Sequence, residues 1–413
     1  MVFFSDPITY ITNWLANLLI SWGLASDTVL VIMKLLGAAM VCIFGFSLVI
    51  FTIWLERKLY ARIQDRLGPN RVGPWGIFQT FPDMIKIFTK EYITPEGADK
   101  VVYNLAPILA VSAVLLVWAV IPFAPTVFGT DINIGVLYIV AVGSIGTLGV
   151  IMAGWSSNNK YALLAAFRTV AQMVSFEVPM VLALLVPVLL GQTMGVDSLV
   201  KAQDVWFVVL SPIAAIIFFI SSIAEVGRAP FDLLEAESEI VAGFQIEYSG
   251  LKFGMFYVGD FLHAFTISAL SATLFFGGWR GPGAETWPVL GLAYFFMKTF
   301  IIYFFVVLIR IALPRLRIDQ MLNFNWKFLT PLALVLLMVT AVVEKSLIHF
   351  MPSLNFSAVG FLIFRSLVLL LTNILIIVVT AIFLRAYARR EHVRVSQPRP
   401  VAVTPEPPAS VIS

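Results

Sequence analysis

Residues 366–384 read SLVLLLTNILIIVVTAIFL and contain no Asp, Glu, Lys or Arg. A helix needs about 20 such apolar residues to cross the hydrocarbon core of a bilayer. The whole chain has a matching composition, because 60% of its 413 residues are hydrophobic and only 12% are charged. A water-soluble fold needs more polar residues to cover its surface. The composition therefore predicts an all-α polytopic membrane protein and excludes a soluble globular or a disordered chain.

Apolar runs long enough to span a bilayer recur along the chain. About nine transmembrane helices are predicted, near 28–55, 103–123, 134–154, 162–189, 206–227, 254–277, 290–312, 327–347 and 359–385. Residues 8–20 form an apolar stretch too short to span, so we expect it to lie at the interface. The first basic residue is Lys34, so the positive region of a signal peptide is missing.

Basic residues concentrate in alternate loops, and only Lys201, Arg280 and Lys345 fall in the other set. By the positive-inside rule the basic loops are cytoplasmic, which predicts an external N-terminus and a cytoplasmic C-terminus. The predicted regions are an external interfacial segment (1–27), a transmembrane helical domain (28–390) and a basic, Pro-rich cytoplasmic tail (391–413). The tail's composition cannot build a core, so we expect it to be disordered or to lie on a partner.

The residue types that hold redox cofactors are scarce. Cys42 is the only cysteine, whereas an iron–sulfur cluster needs about four thiolates. The three histidines (His263, His349 and His392) are too far apart in sequence to indicate a zinc site. Neither a G-x-G-x-x-G nor a Walker motif is found. Electron chemistry would therefore use cofactors carried by partner subunits.

The first long cytoplasmic loop, 56–100, places Lys58, Arg62 and Arg66 at helical spacing among apolar residues. This pattern predicts an interfacial amphipathic helix, and a second one follows near 77–91. The loop could simply bind lipid headgroups through its positive charge. Alternatively, the two amphipathic helices line the mouth of a site for a lipid-soluble ligand.

The second loop, 224–252, crowds six acids beside a membrane boundary: Glu225, Asp232, Glu235, Glu237, Glu239 and Glu247. Like charges this close resist ionising together, so the acids should titrate as a coupled set that can hold and pass protons. A solvated acidic loop or a docking surface for a basic partner is the alternative. Interleaved apolar residues such as Phe231 and Phe244 favour burial against protein.

Ionisable residues inside predicted spans indicate function by default because they are costly there. Glu177 lies near the middle of the 162–189 span and is predicted to carry protons or face a ligand. The alternative is a permanently protonated Glu177 in an interhelical hydrogen bond. Lys34 and Arg365 are expected to snorkel outward, whereas Lys298 lies deeper. His263 is expected to be an ordinary core histidine.

Several long motifs resemble a known family. GPNRVGPWGIFQ (68–79) and AEVGRAPFDLLEAESEIVAGFQIEYSG (224–250) are similar to the two signatures of the H subunit of NADH-quinone oxidoreductase, respiratory complex I. FRTVAQMVSFEVP (167–179) and LPRLRIDQ (313–320) also match that family. The resemblance covers about 28–390, and the mitochondrial counterpart is subunit 1. One departure is Pro82 before Asp83, where the family commonly has Ala.

The resemblance implies a membrane subunit that joins the peripheral arm, helps to form a quinone chamber and couples quinone reduction to proton translocation. Carried onto this chain, the proton-coupling residues are Glu177, Glu225, Asp232, Glu235, Glu237, Glu239 and Glu247, with Arg168, Arg228 and Arg310 as counter-charges. The quinone-binding residues are Arg57, Arg62, Arg66, Gln79, Asp83, Lys86 and Phe231. The resemblance implies no catalytic or metal-binding residue and no activity of the isolated chain.

The partners implied are the other membrane-arm and peripheral-arm subunits, lipids and quinone, and no nucleic acid. Ubiquinone or menaquinone would be the substrate, and FMN and iron–sulfur clusters would belong to partner subunits. A bacterial plasma membrane is the expected location. Three alternatives stay open: a homologous subunit of a membrane-bound hydrogenase or other quinone-linked dehydrogenase, a secondary transporter with Glu177 as its cation site, and a scaffold.

Overall fold

A computed structural model of the chain describes residues 7–234, 243–350 and 358–396. The regular elements in these ranges are helices: α1 Pro7–Ser21, α2 Ser26–Ile63, α3 Thr80–Thr89, α4 Lys100–Trp118, α5 Gly135–Ser156, α6 Lys160–Gly191, α7 Val196–Lys201, α8 Phe207–Leu210, α9 Pro212–Val226, α10 Gly250–Phe275, α11 Pro288–Ala312, α12 Ile318–Phe324, α13 Thr330–Phe350 and α14 Ala358–Ser396. Short 3-10 turns at Pro74–Gln79 and Gly243–Gln245, and a π turn at Asn325–Leu329, complete the set. The all-α polytopic prediction is confirmed.

Eight segments of the described ranges are long and apolar enough to cross a membrane. They are α2, α4, α5, α6, α10, α11, α14 and the continuous run Ile318–His349 that contains α12 and α13. The remaining predicted span, 206–227, is instead two short helices, α8 and α9, separated at Ser211. Pro212 explains the separation, because it has no N–H to donate and its ring clashes with the preceding helical turn.

In the loop 56–100, helices cover fewer residues than the sequence pattern predicts. Helix α2 continues from the membrane through the basic residues to Ile63, so Lys58 and Arg62 lie on its last turns. The second predicted amphipathic helix, near 77–91, is α3. Pro82 lies in the first turn of α3, where its missing N–H has no intrahelical acceptor to lose. The apolar side chains Phe81, Ile85 and Phe88 of helix α3 are exposed.

The core of the bundle is built from α4, α5, α6, α9 and α10. Helix α5 packs between α4 and α6, α9 packs on α6, and α10 packs on α4 and α11. Large side chains fill the centre of this bundle, and Trp118, Phe176 and Phe265 are almost completely buried. These five helices meet around a cavity that is described below.

The predicted tail and the predicted acidic loop both include residues that the structure does not describe. Helix α14 continues through the basic residues to Ser396, past the predicted start of the tail at 391. The Pro-rich part of the tail, 397–413, lies outside the described residues. So do Glu235, Glu237 and Glu239 of the acidic loop.

Candidate functional site

A cavity of about 90 Å³ lies among α4, α5, α6, α9 and α10. Most of its lining is apolar, but it also contains three carboxylates and one imidazole, from Glu177, Glu225, Asp260 and His263. Gly143 of α5 lies against Glu225, since a Cβ built on it would be in van der Waals contact with Oε1 of Glu225, at 3.8 Å. Charged forms of these groups would interact strongly in such an apolar setting.

Glu177 on α6 accepts a hydrogen bond from Ser144 on α5. The Ser144 Oγ donates to Glu177 Oε1 across 2.7 Å. An interhelical hydrogen bond of this kind is the alternative that the sequence suggested for a permanently protonated Glu177. A hydroxyl can donate to a carboxylate and also, more weakly, to the carbonyl oxygen of a carboxylic acid. The bond therefore holds the side chain in place in either protonation state.

Glu225 is in the last turn of α9 and is 9% exposed. It faces the same cavity as Glu177, which lies on the neighbouring α6. The first acid of the 224–252 loop and the predicted intramembrane acid thus line the same cavity. Ionising both costs more than ionising one, because like charges repel strongly in a poorly solvated interior.

Asp260 and His263 complete the group from α10. Neither was predicted to have a functional role. Asp260 could have been found from the sequence, because it is an ionisable residue inside the predicted 254–277 span, like Glu177 in its own span. His263 has an apolar sequence setting typical of a core histidine, and only the folded chain brings it to the same cavity as the acids.

Gln172 fixes the turn that follows α9. Its Nε2 donates to the carbonyl oxygens of Ala224 at 2.7 Å and Phe231 at 2.6 Å, and the side chain is fully buried. The Phe231 ring packs on Phe176 with a centroid separation of 5.3 Å. The predicted site residues Arg168, one turn before Gln172, and Asp232, next to Phe231, are half-buried. Helix α6 thus holds the beginning of the acidic loop.

The predicted counter-charges Arg228 and Arg310 meet at a carboxylate that was not predicted to be their partner. Arg228 donates to Oε1 of the buried Glu56, and Arg310 lies 3.3 Å from its Oε2. The Tyr303 hydroxyl also donates to Glu56 Oε1, at 2.7 Å. Burial acts to lower the pKa of Arg228, but the Glu56 carboxylate outweighs it and the pKa is raised. These contacts fasten the start of the acidic loop to α2 and α11.

In the first loop the structure brings together three of the predicted quinone-binding residues. Arg57 forms an ion pair of 2.6 Å with Asp83 of α3, and Lys86 lies 3.8 Å from the other Asp83 oxygen. Gln79 is half-buried just before α3, whereas Arg62 and Arg66 are exposed. The Arg57–Asp83 pair therefore fixes α3 against the end of α2.

Glu247 lies apart from the cavity. Its Oε1 accepts from Asn159 Nδ2 at 2.7 Å, in a separate crevice of about 430 Å³. The Tyr103 hydroxyl donates to its backbone oxygen, and the Tyr103 ring stacks on Tyr248 at 4.1 Å. Burial raises the pKa of Tyr248 to about 12. Among the acids of the loop that the structure describes, Glu225 and Glu247 thus line separate cavities.

Two intramembrane cations have structural partners. Lys298 donates to the carbonyl oxygens of Phe276, Gly278 and Arg280 at 2.8–2.9 Å. Arg365 pairs with Glu344 at 2.7 Å, so it is held between helices rather than extended toward the surface as expected. Within the described ranges no three His, Cys, Asp or Glu side chains are grouped to hold a metal ion.

Comparison with known proteins gives a consistent result. Residues 36–341 match the NADH dehydrogenase family. The NADH-quinone oxidoreductase H subunit of Dehalococcoides mccartyi strain CBDB1 is 50% identical over 304 residues, which cover 73% of this chain and 85% of the relative. An H subunit of the same enzyme from Geobacter metallireducens is 45% identical over 71% of this chain and 91% of its own length. The H subunit of Brevibacillus brevis is 43% identical over 78% and 95%.

Proposed function

The chain belongs to the H-subunit family of NADH-quinone oxidoreductases and is thus a multi-pass membrane subunit of such a complex, and from this premise we propose that it couples quinone reduction to proton translocation. In this proposal it forms part of a quinone chamber at the junction with the peripheral arm. The quinone is the substrate, partner subunits carry FMN and the iron–sulfur clusters, and the isolated chain has no activity. The complex lies in a bacterial plasma membrane, with the N-terminus outside and the C-terminus in the cytoplasm.

The observation that carries the proposal is the cavity shared by Glu177, Glu225 and Asp260. Placing three carboxyl groups in an apolar cavity costs free energy, so we expect them to be there for a function, such as the exchange of protons. Glu225 lies in the last turn of α9, and the acidic loop follows directly after this helix. Of the three acids, Glu225 is therefore the best placed to respond to a change in the loop. Gln172 and the Glu56–Arg228 pair connect the same turn to α6 and α2.

The quinone would enter beside α3. The exposed apolar side chains Phe81, Ile85 and Phe88 suit a helix at headgroup depth, where a lipid-soluble molecule reaches the protein. The Arg57–Asp83 pair supplies polar groups at the end of α2, next to this surface. Gln79, Arg62, Arg66, Lys86 and Phe231 remain the proposed quinone-binding residues together with that pair.

Reduction of a quinone to a quinol consumes two electrons and two protons, so it changes the charge of a chamber from which water is excluded. In the proposed mechanism that change alters the position or protonation of the acidic loop, including Glu235, Glu237 and Glu239. Glu225 responds by taking up or releasing a proton. Repulsion among like charges then passes the change to Glu177 and Asp260, further into the membrane domain.

The test is NADH-driven quinone reduction and proton uptake, measured in parallel on the purified complex in vesicles. The variants are Glu225→Gln and Glu177→Gln, which keep the side-chain shape and remove the ionisable proton. Glu285→Gln, in an exposed loop, is the matched control. We expect assembled complex in which proton uptake falls at least several-fold while the control is unchanged. Wild-type reduction and proton uptake in both cavity variants would exclude these acids from the coupling path.

A further inference from the structure

We propose that Asn373, on the C-terminal helix α14, is a positioning residue for Glu225 and acts through the full length of helix α9. The inference rests on the proposed coupling role of Glu225. Asn373 lies outside residues 36–341, which match the family.

Helices α8 and α9 are separated by a break at Ser211. Ser211 has a non-helical backbone with φ −141° and ψ 76°, and Pro212 begins α9. A break inside an apolar segment leaves backbone carbonyls without their usual helical donors, and lipid offers none in place of water. These carbonyls need a donor from a neighbouring helix.

Asn373 supplies that donor. Its Nδ2 lies 3.1 Å from the carbonyl oxygen of Leu210, the last residue of α8, and its Oδ1 accepts from Ser211 Oγ at 3.4 Å. The Asn373 side chain is completely buried. It is a polar residue in a helix whose membrane-spanning part is mostly apolar. Both halves of its amide thus contact the break, and its Nδ2 also contacts Leu369 one turn earlier on α14.

At the opposite end of α9, Gln172 of α6 donates a hydrogen bond to the carbonyl oxygen of Ala224. Two buried amides therefore hold the two ends of one 15-residue helix. Without the bond at the Ser211 end, α9 is held at one end only and is freer to turn about its own axis. Side chains stand roughly 6 Å from a helix axis, so a turn of ~20° moves the Glu225 carboxyl by ~2 Å. A movement of that size changes the distance between Glu225 and the other acids of the cavity.

The titratable groups that line the cavity with Glu225 are Glu177 from α6 and Asp260 and His263 from α10. Helices α13 and α14 also pack on α9, but none of the lining residues comes from them. Asn373 therefore affects these groups only by fixing where Glu225 stands. Loss of that fixation should change how proton uptake depends on pH, which a loss of stability alone does not do.

The experiment uses the purified complex in vesicles and compares Asn373→Leu with Thr372→Val. Thr372 is the neighbouring residue and its hydroxyl bonds only to Leu369 of its own helix. The readout is the pH profile of NADH-driven proton uptake. We expect Asn373→Leu to shift its midpoint by about 0.5 pH unit or more, because Glu225 moves relative to its charged neighbours, and Thr372→Val to leave it unchanged.

The decisive arm repeats Asn373→Leu in a Glu225→Gln background, where the shift should vanish if it acts through Glu225. A shift that persists there, or no shift in the single variant, overturns the proposal. If Asn373→Leu does not assemble, Ser211→Ala removes the second bond to Asn373 and should give a smaller shift in the same direction. An unchanged profile in Glu225→Gln alone would instead count against the proposed function, so the two failures are distinguishable.

Discussion

Ser144 on α5 donates a 2.7 Å hydrogen bond to the carboxyl group of Glu177 on α6. Apart from this bond, the neighbours that line the cavity beside Glu177 are mostly apolar. The bond therefore determines where the Glu177 carboxyl stands between the two helices. A single hydroxyl controls the geometry of a proposed proton carrier.

Replacing Ser144 with Ala should impair proton translocation more than quinone reduction. The carboxyl loses its donor, and such a hydrogen bond contributes about 0.5–1.5 kcal/mol with a neutral acceptor and about 1.5–3 kcal/mol with a charged one. Proton uptake in vesicles should fall several-fold, while NADH oxidation by the uncoupled complex changes less than twofold. The measurement is the ratio of proton uptake to NADH oxidation.

Thr147→Val is the control for Ser144→Ala, because the Thr147 hydroxyl bonds only to the Ser144 carbonyl of the same helix. Ser144→Thr restores a hydroxyl and should recover most of the ratio. Equal ratios in Ser144→Ala and Thr147→Val would contradict a role for the Ser144–Glu177 bond.

Most of the fold follows from composition and periodicity, because a bilayer requires long apolar helices. The break at Ser211 could not be predicted, since Pro212 is equally compatible with a kinked, continuous helix. The ion pair of Arg228 with Glu56 could not be predicted either, because the two residues are 172 positions apart along the chain. Asp260 could have been found, as the rule that selected Glu177 applies to it unchanged.

Neutralising Glu56 should destabilise the assembled protein much more than neutralising Asp83. In Glu56→Gln the Arg228 guanidinium, with a side chain 6% exposed, becomes a buried charge without its main carboxylate. Such a loss typically costs about 3–5 kcal/mol. The Arg57–Asp83 pair is partly exposed, so Asp83→Asn should cost about 1 kcal/mol or less.

The thermal midpoint and the yield of purified complex measure this difference. Glu56→Gln should lower both, whereas Asp83→Asn should leave assembly intact and raise the quinone KM. Equal stability losses in the two variants would mean that burial does not decide the strength of these ion pairs.

Gln172→Leu should loosen the turn between Ala224 and Phe231. The substitution keeps a similar volume but removes the side-chain donor from two buried carbonyls, which keep one backbone donor each, the N–H of Gly227 and of Leu233. Each lost bond costs about 0.5–1.5 kcal/mol. Hydrogen exchange of the backbone amides in 225–234 should become at least tenfold faster in the purified complex. Gln192→Asn, at the exposed opposite end of α6, should leave exchange in this turn at the wild-type rate. Unchanged exchange in Gln172→Leu would show that packing of Phe231 on Phe176 is sufficient to hold the turn.

Lys298→Met should destabilise the connection between α10 and α11 without changing coupling in the protein that assembles. The Lys298 ammonium satisfies the carbonyl oxygens of Phe276, Gly278 and Arg280, and Met offers none of its donors. The loss is on the order of 3 kcal/mol, because hydrogen bonds from a charged group are strong and all three come from one ammonium group. The thermal midpoint should fall, and protease should cut the 276–287 connection sooner. Lys345→Met is the control, since Lys345 is an exposed lysine on α13, away from this connection. If Lys298→Met instead kept its stability and lost proton uptake, Lys298 would belong to the proton path rather than to the loop.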